Sequence, residues 1–385
     1  MALLAPLPPA QSGIADYACA WAAALRADGV DVVTPVATGR ERWPDAGDAL
    51  WRDVDVVHAE LGGGRAADFL LLEQLRALQP QLPLTATVHD PERLIWRDPA
   101  PGSVGRWSQR LPRPLPQVAA LLGDRATLAR ERRLAHGLSH MVTLTGTGKQ
   151  CLTERMGVDA GRVSVIAHGN GDIAAQPLPP LAPVRLLYFG FIYPGKGIED
   201  LLQAVAQVRQ QRPDAELTLT LAGGTAPDLT FGSRGDYLQS LRQRAQTLGI
   251  SDLLQWQLDV SAEEIVPCIQ AHHVMVLPYQ ESWRIALLGR MRGTSGALSW
   301  ANACGRGVIA SDARAFAEEV SHGNGEVFAQ GNVGQLAARV MSVLDDPQRV
   351  AVWAQQASAL GQQRRWEKVA AQFHSMFQRV LEASL

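Results

Sequence analysis

The feature that most constrains this chain is a rhythm: short apolar runs alternate with amphipathic stretches, and the rhythm breaks only once. The runs Ala2–Ala5, Val32–Val36, Val54–His58, Leu84–Val88 and His140–Leu144 have strand length, and helical patterns such as Ala15–Arg26 and Phe69–Gln79 lie between them. Strand–helix alternation implies a parallel sheet covered on both faces. The break is Gln176–Pro183, where four prolines in eight residues can carry neither a helix nor a central strand, so it reads as a linker. A second series follows, with strands at Val184–Phe189, Glu216–Ala222, Leu254–Gln257, Val274–Pro278 and Gly307–Ala310. Its helices fall at Gly197–Arg209, Arg234–Leu248, Ala262–Ala271, Gly296–Cys304 and Val333–Leu344. The expected fold is α/β, with two Rossmann-like parallel-sheet domains at 1–176 and 184–361 and a linker at 177–183. Ligands of open parallel sheets bind beyond the carboxyl ends of the strands, so both domains are expected to face one central cleft. Residues 362–385 form one amphipathic helix pattern, with Trp366, Val369, Phe373, Phe377, Val380 and Leu381 on one side.

At 46% hydrophobic and 19% charged residues, each half of the 385-residue chain can bury an ordinary core. The net charge of −2 gives no global pull toward nucleic acid. Cys19, Cys151, Cys268 and Cys304 fit no zinc or redox spacing and read as buried thiols of a reducing compartment. No run of ~18 apolar residues is present, and the chain enters its first strand at once, so a cytoplasmic protein is expected. Arginines number 33 and lysines only three, which draws attention to Lys149, Lys196 and Lys368.

Four segments carry candidate chemistry. The stretch from Pro6 to Tyr17 follows the first strand and ends where a helix begins; its Ser12, Gly13 and Asp16 suit a turn and cap, and the free amides there can hold a phosphate. An ordinary turn explains it as well. Thr87-Val-His89-Asp90-Pro91 closes a strand, and His89 there can donate to a sugar hydroxyl or stabilise charge; the alternative is a capped turn. In Gly190–Gly197 a lysine, Lys196, stands at a helix start, where the macrodipole disfavours a cation, so an anion beside it is expected. In Arg290–Leu298 the amides of Ser295, Gly296 and Ala297, the Ser295 hydroxyl and the Arg292 guanidinium can converge on a diphosphate, with a plain N-cap as the alternative. Thr145–Gln150 resembles the end of a P-loop but lacks its first glycine and its Ser/Thr. No Asp-x-Asp or His-Glu-x-x-His occurs, so nothing argues for a catalytic metal.

In order and spacing these residues resemble the retaining family 4 glycosyltransferases of the GT-B fold, over nearly the whole chain. Pro6 to Tyr17 is similar to the family's first glycine-rich loop, Thr87 to Asp90 to its acceptor-side histidine segment, and Val165–Asn170, with His168, to the stretch closing the first domain. Gly190 to Gly197 resembles the loop whose lysine binds the donor diphosphate. Pro278 to Val320 resembles the nucleotide-sugar site, and the segment from Arg365 the terminal helix, which in this fold crosses back to the first domain. The resemblance implies catalytic roles for His89 and Lys196 and diphosphate contacts from Gly13 and Lys196; the chemistry of the fourth segment adds Arg292 as a catalytic cation and diphosphate contacts from Arg292, Ser295, Gly296 and Ala297. It places Gly190, Trp300 and Glu318 about the donor sugar or nucleotide, and Asp16, Tyr17, Asp90 and His168 on the acceptor side. Three departures stand out. The family's paired glutamates are replaced by Arg292 and Trp300, and its usual arginine after the glycine at 190 by Phe191. Arg292 is read as replacing the lost cation.

The implied activity is metal-independent hexosyl transfer with retention. The donor is a UDP- or GDP-linked sugar and no further cofactor is needed. The acceptor is a glycan or lipid-linked hydroxyl, as in bacterial polysaccharide biosynthesis. The alternative is a partner subunit that binds nucleotide sugar and has lost turnover. Between Arg93 and Arg133 lie nine arginines and three acids, with Trp96, Trp107 and the proline-rich Leu111–Pro116. This is either a solvated face or a peripheral dock for an anionic membrane, each basic residue there worth ~1 kcal/mol.

Overall fold

A computed structural model describes residues 1–8, 10, 12–35, 43–62, 65–95, 115–224, 237–281, 289–290 and 292–384, with residues 115–122 described by backbone alone. The chain divides into two compact units. Unit 1 comprises Met1–Gly169, Ile285–Thr294 and Trp366–Leu385, and unit 2 comprises Asn170–Arg284 and Ser295–Arg365. This departs from the expected bounds in three ways. The first unit ends at Gly169, before the proline segment, whose Gln176 and Pro177 are tied into unit 2 by Arg306. A short stretch ending at Thr294 groups with unit 1, so the fourth motif is divided between Thr294 and Ser295. The terminal helix is shorter than 362–385.

Unit 1 carries a parallel sheet in the order β1 (Ala2–Leu4), β2 (Val57–Leu61), β3 (Leu84–Val88), β4 (His140–Thr143), β5 (Val163–Val165). Of the expected strand Val32–Val36, only Val33 pairs, on the free side of β1, and Val36 lies outside the described residues. The chain therefore leaves β1 for one side and returns to its other side as β2, which makes the carboxyl ends of β1 and β2 the crevice of this unit. One sheet face is covered by α2 (Ala66–Leu78), α3 (Leu115–Gly137) and α4 (Gly146–Met156), through Phe69, Leu72, Leu134 and Leu152. The other is covered by α1 (Gly13–Ala27) and by α12 (Trp366–Glu382), the last helix. Between α1 and α12 the rings of Trp21 and Phe373 meet edge to face at 4.8 Å. Each fully buried ring of this kind contributes roughly 1.5–3 kcal/mol. The last helix thus returns to the first unit, as the resemblance implies.

β2 lies three residues later than its alternation predicts. Val54 and Val56, with Asp53 before them and Asp55 between them, mimic the start of a half-buried strand. The true strand is buried on both faces, as parallel strands are, and so carries His58 and Glu60 inside. The P-loop lookalike is the start of α4, capped by the Thr145 hydroxyl, which accepts from Gly148 N–H at 2.9 Å.

Unit 2 has a six-stranded parallel sheet. Its strands are β6 (Val184–Phe189), β7 (Leu217–Gly223), β8 (Leu254–Leu258), β9 (Val274–Leu277), β10 (Gly307–Ser311) and β11 (Gly325–Phe328). The spatial order is β11-β10-β9-β6-β7-β8. The chain runs outward from β6 through β7 to β8, then restarts on the other side at β9. The switch point is therefore the gap between the carboxyl ends of β6 and β9. The helices are α5 (Ile198–Gln211), α6 (Tyr237–Thr247), α7 (Ala262–Gln270), α8 (Gly296–Ala303), α9 (Phe316–Val320), α10 (Val333–Asp345) and α11 (Pro347–Gln363). One core runs through this unit. Among the described residues no helix is long and apolar enough to cross a membrane.

Candidate functional site

The crevice of unit 2 is built by two loops. After β6 the backbone turns at Gly190, Gly195 and Gly197, all at positive φ (136°, 96° and 69°). Position 197 admits no other residue, because a Cβ there would overlap the Pro278 carbonyl oxygen beyond β9. That close approach sets Lys196 against the loop after β9. Its ammonium lies 3.7 Å from the Tyr279 ring centroid and 5.0 Å from that of Tyr193, a cation–π arrangement. Lys196 is only 9% exposed, and among the described residues it pairs with no carboxylate. Burial, and after it the nearby Arg314, lowers its pKa from 10.5 to about 8.

Tyr279 is buried and its hydroxyl shares a hydrogen bond of 3.2 Å with Ser295. Ser295 is the N-cap of α8, yet its side chain does not cap the helix. The first-turn amides, including those of Gly296 and Ala297, are thus left for another acceptor. Trp300 lies one turn along α8 and packs against the unit 2 core. Glu318 is half-buried in α9, while its neighbour Glu319 is buried against Arg364 at 2.7 Å. Lys196, Gly190, Ser295, Gly296 and Ala297 therefore gather about one switch point. Their expected ligand is an anion at a helix N-terminus.

Unit 1 has a second cluster. Tyr17, buried in α1, meets the rings of His89, His168 and Trp366 edge to face at 5.1, 5.1 and 5.2 Å. Gly169 makes room for Trp366, since a Cβ there would overlap its ring. His89 follows β3 and its Nε2 lies 2.7 Å from Oε2 of Glu60, a carboxylate buried completely inside β2. His58 Nε2 lies 3.4 Å from the other Glu60 oxygen and 2.9 Å from Thr87 Oγ1. Burial would raise the Glu60 carboxyl, but hydrogen bonds from His58 and His89 hold it at about 2. Asp90 is buried in the turn beside His89. His168 Nδ1 lies 2.7 Å from the Gly169 carbonyl. Gly13 opens α1 under the Ser12 cap, and Asp16 is exposed in its first turn.

Arg292 belongs to unit 1. Its Nε lies 3.5 Å from Glu92, whose carboxylate also accepts from the Arg290 amide at 2.6 Å, and Gly293 packs on the His89 carbonyl. Part of the guanidinium charge is therefore matched by Glu92. Of the described arginines of the basic segment, Arg125, Arg132 and Arg133 are exposed and two are paired. Arg93 is buried against Glu131 at 2.6 Å and also pairs with Asp124, and Arg130 pairs with Glu73. Trp96, Trp107 and Leu111–Pro114 lie outside the described residues.

Sequence reading passed over Glu60, His58, Tyr279 and Arg314. The two β2 residues carried a signal: polar side chains inside a run that must be buried on both faces. Tyr279 and Arg314 carried none, since both follow strands as ordinary loop residues.

Residues 172–360, nearly all in unit 2, match the family described as glycosyl transferases group 1. The chain is 27% identical over 282 residues to the D-inositol 3-phosphate glycosyltransferase 2 of Catenulispora acidiphila, covering 69% of this chain and 62% of that protein. It is 27% identical over 309 residues to the glycogen synthase of Mycobacterium tuberculosis, covering 78% and 62%. The match thus spans about three fifths of the length of these relatives. Among solved structures, the sucrose-phosphate synthase of Thermosynechococcus elongatus is similar with a TM-score of 0.71 at 18% identity, covering 99% of each chain. Anabaena HepE in complex with UDP is similar with a TM-score of 0.68 at 17% identity, covering 98% of this chain and 99% of that one. The fold is GT-B.

Proposed function

We propose that this chain is a glycosyltransferase, taking a sugar from a nucleoside diphosphate held by unit 2 and passing it to an acceptor hydroxyl held by unit 1. The observation that carries this reading is Lys196, a buried ammonium with no carboxylate partner among the described residues, at the switch point of the sheet. A buried ammonium without a counter-ion is costly, and a diphosphate at the uncapped start of α8 would offset that cost. The match of residues 172–360 to group 1 glycosyl transferases supports placing the donor in unit 2. UDP is the first candidate, because solved neighbours are described with UDP and UDP-glucose; GDP is the second.

In the reaction the anomeric C–O bond to the diphosphate breaks and the acceptor oxygen bonds to the same carbon. The diphosphate leaves with the electron pair, and the acceptor proton passes to its oxygen. Negative charge grows on the leaving group, so Lys196 and the α8 amides act more strongly in the transition state than in the ground state. Retention without a metal is what the family 4 resemblance implies, and Arg292, which departs from the family's glutamate, is proposed to share in the same leaving-group charge. On the acceptor side Glu60 accepts from His89 Nε2–H, which leaves Nδ1 as the ring nitrogen to meet a sugar hydroxyl. The acceptor is proposed to be a glycan or a lipid-linked sugar of a bacterial polysaccharide pathway, reached in the cytoplasm or at an anionic membrane face.

Nucleotide release on incubation with a panel of UDP- and GDP-sugars, with and without glycan and lipid-linked acceptors, tests the reading. One donor should be consumed in an acceptor-dependent way. Tight donor binding with no release from any acceptor would instead favour a partner subunit without turnover.

A further inference from the structure

The turn after β10 holds a second cation of unit 2. Arg314 has φ +58°, in the left-handed region that side chains other than Asn and Asp avoid. Among the described residues only Asp259, of a type suited to it, shares that conformation outside glycine. The turn is held from several sides. Glu281 accepts the Arg314 amide at 3.2 Å, Asp312 accepts the Gln330 amide at 2.8 Å, and the Asp312 amide donates to the Phe328 carbonyl at 2.8 Å. Ala313, Ala315 and Phe316 on either side are buried, and the Phe316 ring lies 5.2 Å from that of Tyr279. A strained backbone fixed so firmly is a mark of functional positions.

The Arg314 guanidinium carbon lies 5.4 Å from the Tyr279 ring centroid, the same ring that carries the Lys196 ammonium at 3.7 Å. Two cations gathered about one buried ring repel each other, and Arg314 does depress the Lys196 pKa. An anion between them turns that repulsion into attraction, and a guanidinium presents paired donors that match phosphate oxygens. We propose that Arg314 binds the diphosphate of the nucleotide beside Lys196, as a donor-site residue of unit 2. The proposal rests on the donor reading above.

Arg314→Gly is the informative variant, because it removes the cation and relieves the backbone together. Arg314→Asn, which also tolerates the left-handed region, is a second neutral replacement. Melting temperature and UDP and GDP affinity by calorimetry are measured for both, for wild type and for Lys196→Ala. Arg314→Gly should melt no lower than wild type while binding UDP or GDP about 10- to 100-fold more weakly, with a shallower salt dependence. Wild-type affinity in Arg314→Gly and Arg314→Asn overturns the proposal. If Lys196→Ala alone weakens binding, the donor reading stands and only the assignment of Arg314 falls. If wild type binds neither nucleotide, both fall together.

Discussion

Lys196 has its pKa lowered by burial to about 8, and this gives the site a pH signature. Its folded pKa, about 8, lies below the unfolded 10.5. Between those values the unfolded state binds more protons, so the Lys196 contribution to stability improves as pH rises through that window. A bound diphosphate favours the ammonium and therefore raises the pKa. UDP binding should take up a proton at pH 8.5 in wild type and none through this group in Lys196→Ala, read as the buffer dependence of the calorimetric enthalpy. Affinity should fall as pH rises above ~8. Glu60 makes a separate residue-level prediction. Glu60→Gln removes the carboxylate shared by His58 and His89 while keeping its shape. Transfer should slow on the order of 10²-fold with UDP affinity unchanged, since Glu60 belongs to unit 1. Full transfer activity would leave the dyad with a structural part alone.

Elements differ in how openly the sequence declares them. Leu84–Val88 and Val184–Phe189 are found where the sequence places them, because apolar and β-branched residues dominate both stretches. β5 has only three residues, exposed toward its end, and β11 is half-buried, so neither stands out against its loops. α12 and α11 read as distinct helices only in space. The break falls at Arg364 and Arg365, where no proline or glycine marks it. In the site, Lys196 and His89 were legible because a cation at a helix start and a histidine at a strand end are both locally costly or exposed. Arg314 was not, because positive φ in an arginine has no sequence mark. Arg306 was missed for a related reason: its partners are main-chain carbonyls. Almost fully buried, it donates to Gln270, His272, Cys304 and Gly305, and to Gln176 and Pro177 of the entering segment. Arg306→Met should lower unfolding free energy by roughly 1–3 kcal/mol in urea denaturation, because it leaves buried carbonyls without a donor. A loss below ~1 kcal/mol would mean that water replaces those contacts without cost.

Over the whole molecule the two units share one architectural rule, a parallel sheet whose chain order reverses beside β1 in one and beside β6 in the other. Each places its titratable cluster at that reversal, Glu60–His89 in unit 1 and Lys196–Tyr279 in unit 2. The repeating pattern made the fold class readable, since two alternating series separated by a proline segment admit few arrangements. The unit boundaries were less readable, because tertiary contacts, not the prolines, decide where Gln176 and Thr294 belong. The most direct test of the account is a crystal structure of the protein with UDP. Diphosphate oxygens are expected within hydrogen-bond reach of the Lys196 ammonium and of the Gly296 and Ala297 amides. Ordered UDP bound elsewhere, with Lys196 untouched, would contradict it.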